Sequence, residues 1–472
     1  MTPPSSRQRR PGAPTARPHA ARAHGGAHLA ARVLVEPVLY LSCPAGVEAL
    51  LLDEVRRIVG ADARLAESRG GVEVRVPIAV PEGDARRAAA AELSMRLNLE
   101  SRLAQRVLWR VAEGGYQDED ALYHLARQVD WTQWLTARQT LRVDVSARRS
   151  PLRSLQFAGL RIKDAVCDQL REATGERPSV DTRHPDLGLL LFLDESRAML
   201  YVDTSGEPLF KRGWREDTGE APLKETLAAA MLAAADWRGR PEDGALLDPC
   251  CGAGTIPIEA AQIACGMAPG LQRHFAFEKL LPFRPHLAAW QRLRQAAKAR
   301  QHPPAVPIFA GDVAFRMTDF AQRNAERAGV RHAIVFKTAD ALQRPVPCAA
   351  GVMMFNPPYG ERIDTKGSAR DAYRAREDGA SGRQAFDASQ AEGFFQQLAS
   401  HWKQHYTGWT AWVLSPDMKL PSAMRFKESR RVVMFNGPIE CRLFRFDIVA
   451  GAHASRRAPA AAASEPDGQT DP

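Results

Sequence analysis

Short apolar runs alternate with helical segments between residues 245 and 414, and this alternation restricts the possible fold more than any other feature. The runs have the length of buried strands and occupy residues 245–248, 307–312, 333–340, 351–355 and 409–414. Segments with helical periodicity lie between them at 256–267, 313–328 and 392–406. Such alternation is typical of a parallel sheet covered by helices on both faces. The sequence therefore predicts an α/β fold with a Rossmann-like sheet in this half. Residues 431–435 and 441–449 predict an antiparallel pair at its edge.

Polar side chains end four of these predicted strands. They are Asp248, Asp312, Asp340 and Asn356. Each acid alone would be explained as a helix N-cap. In open α/β sheets, however, the carboxyl ends of the strands meet at one edge, where ligands bind. Polar groups at four successive strand ends therefore predict a ligand site at this edge.

The loop after the first strand is rich in glycine. Its candidate ligand-binding residues are Asp248, Pro249, Cys250, Gly252, Gly254 and Thr255. Glycines let a ligand approach the backbone, and the following helix offers free N–H groups. A dinucleotide site is disfavoured, because Pro257 stands where the fingerprint needs its third glycine. The next strand-end acid, Asp312, is also about sixty residues away instead of about 20.

The acids suggest which ligand this edge could bind. Asp248 would repel a pyrophosphate but attract an ammonium group. Asp312 can accept hydrogen bonds from a ribose diol, and Asp340 can accept one from an adenine amine. An amine, a ribose and an adenine together fit S-adenosylmethionine. We therefore expect this molecule as the cofactor.

Asn356 is followed by Pro357, Pro358 and Tyr359. The prolines hold their carbonyls stiffly and have no N–H, so they cannot extend a ladder. Asn356 adds an acceptor and Tyr359 a flat ring, a set that suits a planar group with an exocyclic amine. A strand that merely ends in a proline turn is the alternative.

Charge favours a polyanionic partner. Lys and Arg outnumber Asp and Glu by 64 to 55. Residues 146–163 contain no acid and carry the candidate RNA-binding residues Arg148, Arg149, Arg153, Arg161 and Lys163. Leu155 and Phe157 lie among them and could stack on bases, although a solvated basic face would explain the segment too.

Cysteine usage and hydropathy bear on the compartment. The seven cysteines contain no C-x-x-C pair, which indicates reduced thiols and argues against zinc or disulfides. No apolar run approaches the ~18 residues of a membrane span. We expect a cytoplasmic protein without a metal site.

At the start of the ordered region, residues 33–41 predict a strand that Pro37 places at a sheet edge.

Several motifs together resemble a known family. The sequence Asn356-Pro357-Pro358-Tyr359 is similar to the [ND]-P-P-[YF] motif of class I S-adenosylmethionine-dependent methyltransferases that act on planar exocyclic amines. Residues 211–215, 219–230, 246–255, 268–271 and 356–362 resemble the THUMP-domain guanine-N(2) methyltransferases of bacterial 23S ribosomal RNA. Cys251-Gly252-Ala253-Gly254 stands where the family more often has C-G-S-G, and residues 361–386 are longer and more charged than the family leads us to expect.

The resemblance implies a domain layout. Residues 33–81 would be a ferredoxin-like region, 82–204 the THUMP RNA-binding domain and 205–450 the methyltransferase domain. Composition predicts a disordered basic tail over residues 1–32, which hold five prolines, six arginines and no acid, and a disordered tail over residues 451–472, which are rich in Ala, Pro, Ser and Gly. No second methyltransferase pattern follows, so we expect a single activity.

The resemblance also implies a reaction, the methylation of the 2-amino group of a guanine in 23S ribosomal RNA, free or in a large-subunit precursor particle. Asn356 and the Pro357 carbonyl would accept the two amine hydrogens and aim the nitrogen lone pair at the methyl group. Tyr359 would stack on the base. Alternatives are a transfer RNA guanine, a DNA adenine or protein glutamine substrate, and a non-catalytic RNA-binding assembly factor.

Overall fold

A computed structural model describes residues 32–60, 62–219, 222–357 and 388–449, and their strands form two sheets. The first is an eight-stranded sheet in the order β2-β3-β1-β4-β8-β7-β5-β6. Its strands are β1 Arg32–Ser42, β2 Arg64–Ser68, β3 Gly71–Arg75, β4 Arg106–Gly115, β5 Thr140–Ala147, β6 Ser179–Val180, β7 Leu187–Leu193 and β8 Arg197–Asp203. The accompanying helices are α1 Glu48–Val59, α2 Asp84–Glu100, α3 Glu119–Arg127 and α4 Leu155–Thr174.

The strands of residues 33–81 and 82–204 join this one sheet, because β4 pairs with both β1 and β8. The boundary between these two predicted domains stays a prediction.

The edge position predicted from Pro37 is wrong. Strand β1 lies between β3 and β4 and pairs with both along residues 38–42. The register shifts between Val33 and Val38, so Pro37 falls within an irregularity. A proline is tolerated there, because the residue at a bulge has no ladder hydrogen bond to lose.

The second sheet has seven strands in the order β11-β10-β9-β12-β13-β15-β14. They are β9 Ala245–Asp248, β10 Ile308–Asp312, β11 Ile334–Thr338, β12 Gly351–Phe355, β13 Thr410–Ser415, β14 Arg430–Asn436 and β15 Ile439–Asp447. The first five are parallel, and β14 and β15 form an antiparallel pair at the edge, as predicted. Strand β15 is also antiparallel to β13. The helices are α5 Glu225–Ala234, α6 Thr255–Ala264, α7 Leu287–Ala299, α8 Phe315–Arg327, α9 Ala388–His405 and α10 Leu420–Ala423. The α/β, Rossmann-like prediction is confirmed.

A buried ion cluster joins the two halves of the chain. We call Arg102, Arg212 and Glu259 the joint cluster. Glu259 lies on α6 with its side chain 0% exposed, and its carboxylate accepts hydrogen bonds from Arg212 Nε at 3.0 Å and from Arg102 Nη1 at 3.2 Å. Arg102 follows α2 of the first half, whereas Arg212 belongs to the connecting segment. The cluster therefore fixes the first sheet's helices to the helix that follows the glycine-rich loop.

Among the helices that the structure describes, none combines the length and the apolar character that a membrane span requires.

Candidate active site

The predicted strand-end residues meet at one edge of the second sheet. Strands β11, β10, β9 and β12 are neighbours, and their parallel pairing sets Asp312 beside Thr338 and Ala310 beside Asp248. On the other side of β9, Met353 pairs with Leu247, so Asn356 lies a few residues past the same level. Strand β11 ends at Thr338, and Asp340 lies in the following turn, where its Oδ1 accepts a hydrogen bond from Leu342 N at 2.9 Å.

Asp312 holds the glycine-rich loop against β10. Its Oδ2 accepts a hydrogen bond from Gly252 N at 3.0 Å, and its Oδ1 accepts one from Ala314 N at 3.0 Å. Cys251 N also donates to the Gly311 carbonyl at 2.7 Å. The loop and the second strand end therefore form one rigid wall of the site.

Asp248 is a buried carboxylate with little compensation. It is 1% exposed, and its Oδ1 accepts a hydrogen bond from Cys250 N at 3.1 Å. Burial raises the pKa of Asp248 well above its usual range, and the nearby charge of Asp312 raises it further. Burial also raises the pKa of Asp312. Because both carboxylates are short of positive charge, the pair favours a ligand that brings an ammonium group or hydroxyl donors.

The two loop glycines have different reasons to be glycine. Gly252 has a φ of 51°, and a Cβ built on it would meet no atom within 4 Å, so open space lies above its backbone. Gly254 has a φ of 89°, and a Cβ there would come within 2.9 Å of the Ala321 Cβ on α8. Gly252 thus lets a ligand approach the loop, whereas Gly254 lets the loop pack on α8.

The remaining loop residues lie where the sequence placed them. Pro249 is buried and Cys250 partly buried. Thr255 begins α6, and its hydroxyl accepts a hydrogen bond from Arg215 Nη2 at 2.7 Å. Arg215 also donates from Nε to Glu225 at 2.7 Å. Arg215 of segment 211–215 therefore links the end of the glycine-rich loop to α5, through contacts that the sequence alone did not reveal.

Asn356 directly follows β12, whose last residue is tightly packed. Phe355 is fully buried and packs edge-on against Trp402, with 5.7 Å between the centres of the two rings. Asn356 is half-buried, and Pro357 is buried. Pro358, Tyr359 and the charged segment 361–386 lie outside the described residues.

Arg344 is a site residue that sequence reasoning missed. It is buried behind the strand ends, where its Nη1 donates to the Ala310 carbonyl at 3.2 Å. A Cβ on Gly311 would stand 2.0 Å from that nitrogen, so Gly311 makes room for the guanidinium. Burial lowers the pKa of Arg344, and its charge lowers the pKa of Asp248. A single arginine between two strands carries no local signal of such a role.

Three of the five candidate RNA-binding residues in segment 146–163 form ion pairs with acidic side chains. Arg161 pairs with Asp120 at 2.6 Å, Arg149 with Glu195 at 3.2 Å and Lys163 with Asp164 at 2.8 Å. These acids come from α3, from the β7–β8 turn and from the next residue along the chain, so they do not appear within 146–163.

Arg148 and Arg153 are exposed and form no ion pair within the described ranges. Leu155 and Phe157 are exposed beside them on α4. The RNA-binding role of the segment stays a prediction.

Within the described residues, no group of three or more His, Cys, Asp or Glu side chains could hold a metal ion. All seven cysteines are free thiols.

The sheet order, the strand-end carboxylates and the glycine-rich loop define a class I methyltransferase fold. The chain matches two family models, the RMKL-like methyltransferase domain over residues 212–383 and the THUMP domain over residues 116–203. It therefore carries a THUMP domain followed by a methyltransferase domain of the RMKL-like family, as the resemblance implied.

Two curated relatives are both named ribosomal RNA large subunit methyltransferase K/L. The chain is 33% identical to the protein of Shewanella pealeana, over 85% of this chain and 52% of the relative. It is 34% identical to that of Syntrophotalea carbinolica, over 90% of this chain and 56% of the relative. The chain thus spans about half the length of the curated relatives it matches.

Solved structures share the fold over nearly their whole length. SMU.472, crystallised with SAH, superimposes with a TM-score of 0.72 at 24% identity, covering 88% of this chain and 99% of that one. A Listeria monocytogenes protein titled a predicted N6-adenine-specific DNA methylase has a TM-score of 0.69 at 25% identity, covering 87% and 95% of the two chains.

Proposed function

We propose that this protein transfers a methyl group from S-adenosylmethionine to the exocyclic 2-amino group of a guanine in RNA, with 23S ribosomal RNA as the favoured substrate. One observation carries the proposal. The carboxylates of Asp248 and Asp312 and the Asn356-Pro357 pair converge on one sheet edge of a chain that also has a THUMP domain. The reaction takes place in the cytoplasm.

The chain's own residues suit the cofactor's functional groups. The underpaired Asp248 carboxylate would bind the amino group, Asp312 the ribose hydroxyls and Asp340 the adenine amine. Gly252 leaves space for the ligand against the loop backbone. When bound, the cofactor supplies an activated methyl group on a sulfonium.

Asn356 and Pro357 would orient the target amine. The lone pair of a guanine 2-amino group is delocalised into the ring, which makes the nitrogen a poor nucleophile. When the Asn356 side-chain oxygen and the Pro357 carbonyl accept its two hydrogens, the nitrogen becomes more tetrahedral and its lone pair is directed. Both acceptors directly follow the buried end of β12, so little reorganisation is needed. No strong base is required before attack.

The choice of RNA rests on the first half of the chain. The first half of the chain, which contains the THUMP domain, is joined to α6 through the joint cluster, so the two halves present a fixed relative arrangement to a large substrate. The names of the curated relatives favour ribosomal RNA of the large subunit over transfer RNA.

A transfer assay tests the proposal. The full chain is incubated with methyl-labelled S-adenosylmethionine and protein-free 23S ribosomal RNA, transfer RNA or DNA, each from cells lacking the enzyme. Products are digested and separated by liquid chromatography and mass spectrometry. We expect the label in N2-methylguanosine from 23S RNA. No transfer to either RNA would refute the proposal.

DNA adenine is the second candidate, because the Listeria neighbour bears that description and an Asn-Pro-Pro-Tyr motif suits the adenine amine as well. Label in N6-methyladenine from DNA, with none in RNA, would establish it instead.

A further inference from the structure

A second cleft opens between the two halves of the chain. We call it the hairpin cleft, and it has a volume of about 300 Å³. Its lining includes Pro44 after β1, Gln105 before β4, Lys224 and Thr226 at the start of α5, and Phe435 and Gly437 at the β14–β15 turn. None of these residues belongs to the cofactor site described above.

The hairpin cleft lies on the catalytic edge of the sheet. Strand β15 is antiparallel to β13 and β14, so β14 runs parallel to β12 and ends at the same edge. The register aligns Phe355, Val413, Phe444 and Arg431 in one row across these strands. The β14–β15 turn begins about five residues beyond that row, or roughly 17 Å at 3.3 Å per residue. It therefore projects past Asn356 on the side from which a substrate must approach.

Two polar groups of the cleft that can donate hydrogen bonds lie at the start of a helix. Thr226 is 1% exposed, and its hydroxyl has no hydrogen-bond partner within the part of the chain that the structure describes. It lies in the first turn of α5, a ten-residue helix whose N-cap, Lys224, makes no side-chain cap. The first turn of a helix attracts anions, and the Lys224 ammonium adds a full positive charge.

Neighbouring charge does not cancel this positive end. Glu225 follows Lys224, but its carboxylate is buried and accepts a hydrogen bond from Arg215 Nε at 2.7 Å. The Lys224 ammonium stands 5.1 Å from the centre of the Phe210 ring, which holds the side chain without neutralising it. Phe435 is partly exposed and supplies an aromatic face in the same cleft.

We propose that the hairpin cleft binds a nucleotide of the substrate RNA that flanks the methylated guanine. Its phosphate lies between the Lys224 ammonium and the Thr226 hydroxyl, and its base lies against Phe435. This assignment rests on the proposed function in taking RNA as the substrate. A positive group beside an aromatic face is the usual combination for single-stranded nucleic acid.

The test is the salt dependence of RNA binding. Protein-free 23S RNA from cells lacking the enzyme is titrated with the full chain in filter-binding assays between about 0.05 and 0.3 M salt. Lys224→Ala is compared with Lys298→Ala, which removes an exposed lysine of α7 away from the cleft. One lost phosphate contact flattens the log–log slope by about 0.7, which corresponds to about fivefold weaker binding at 0.1 M salt. We expect this change for K224A and not for K298A.

Two further variants separate binding from folding. Thr226→Val removes the unpartnered hydroxyl at nearly constant shape, so we expect a higher melting temperature together with weaker RNA binding. A purely structural hydroxyl would not give that combination. Phe435→Leu should weaken binding about fivefold or more with an unchanged salt slope. SAH affinity, measured by calorimetry, should stay the same in all variants.

The outcomes distinguish this proposal from the proposed function. Equal RNA affinity and equal salt slope for K224A and K298A, with normal methyl transfer by the wild type, would overturn the proposal for the hairpin cleft and leave the proposed function intact. Absent methyl transfer with the expected slope change overturns the proposed function and keeps the hairpin cleft as an RNA-binding site only. A wild-type protein that binds no RNA overturns both.

Discussion

Replacing Glu259 by glutamine should destabilise the fold at the joint between its two halves. Glu259 is 0% exposed, and Arg212, which donates to it, is 2% exposed. Its carboxylate accepts hydrogen bonds from Arg212 Nε at 3.0 Å, from Arg212 Nη2 at 3.5 Å and from Arg102 Nη1 at 3.2 Å. Burial lowers the pKa of Arg102, and Glu259 is the main opposing charge. Glutamine keeps the shape but leaves the buried Arg212 guanidinium and the partly buried Arg102 guanidinium without their carboxylate.

The size of the effect follows from this burial. Removing one partner of a buried ion pair costs about 3–5 kcal/mol, because the remaining charge stays desolvated and unpaired. That range corresponds to a change of about 150- to 5,000-fold in the folding equilibrium constant. Glu195→Gln is the matched control, because Glu195 also pairs with an arginine, Arg149, at 3.2 Å but both side chains are well exposed. An exposed pair contributes about 0–1 kcal/mol.

Urea unfolding checks this prediction. The free energy of unfolding is measured for wild type, E259Q and E195Q by tryptophan fluorescence and far-ultraviolet circular dichroism. Both signals should shift to lower urea for E259Q, since the cluster connects both halves. A loss for E259Q no larger than the loss for E195Q would contradict the reasoning. It would mean that the joint cluster is hydrated or rearranges at little cost.

Three further predictions concern the active-site edge. Asn356→Ala should lower the methyl-transfer rate about 100- to 1,000-fold while SAH affinity by calorimetry stays nearly unchanged, and a near-normal rate would refute the acceptor role. Asp248→Asn should weaken SAH binding. Burial raises the pKa of Asp248, so the stability of the ligand-free fold is greatest below the unfolded value near 4 and falls as the pH rises through the folded pKa. Asp248→Asn does not lose this stability, so the melting temperature of the variant minus that of wild type should be larger at pH 7.5 than at pH 4.5. An equal difference at the two pH values would argue against an underpaired carboxylate. Gly311→Ala should destabilise by about 1–3 kcal/mol in urea unfolding, because its Cβ would meet Arg344 Nη1 at 2.0 Å. The control is Gly393→Ala on α9, where the added Cβ would meet no atom within 4 Å, so this change should be neutral or stabilising. Equal changes in the free energy of unfolding for the two variants would exclude the clash at Gly311.

Much of the second sheet and its edge could be predicted because the signals are local. Apolar runs of strand length, the glycine-rich loop and acids at strand ends each occupy a few consecutive residues. Parallel pairing then brings Asp248, Asp312 and Asn356 to one edge without any further information. The turn at residues 436–438 predicted the antiparallel β14–β15 pair, whereas the order of the strands in the sheet was not predicted.

The wrong edge prediction has a cause outside its own segment. Pro37 indicates an edge by its missing N–H, but whether that N–H is needed depends on the register with β4, which lies some seventy residues away. In the basic segment 146–163, the acids that pair with Arg161 and Arg149 are Asp120 and Glu195, which come from other elements, whereas Arg148 and Arg153 stay exposed.

The sequence by itself determined the α/β class and the polar residues that end the strands at one edge. Both follow from the spacing of apolar residues and from the residues at strand ends, which are properties of neighbouring positions. Only the tertiary structure decided which charges are paired, where Arg344 stands, how the joint cluster connects the halves, and that Lys224, Thr226 and Phe435 share a cleft. These features join side chains far apart in the chain. An ion pair or a cleft depends on distances of a few ångströms between elements, and a one-dimensional pattern does not contain those distances.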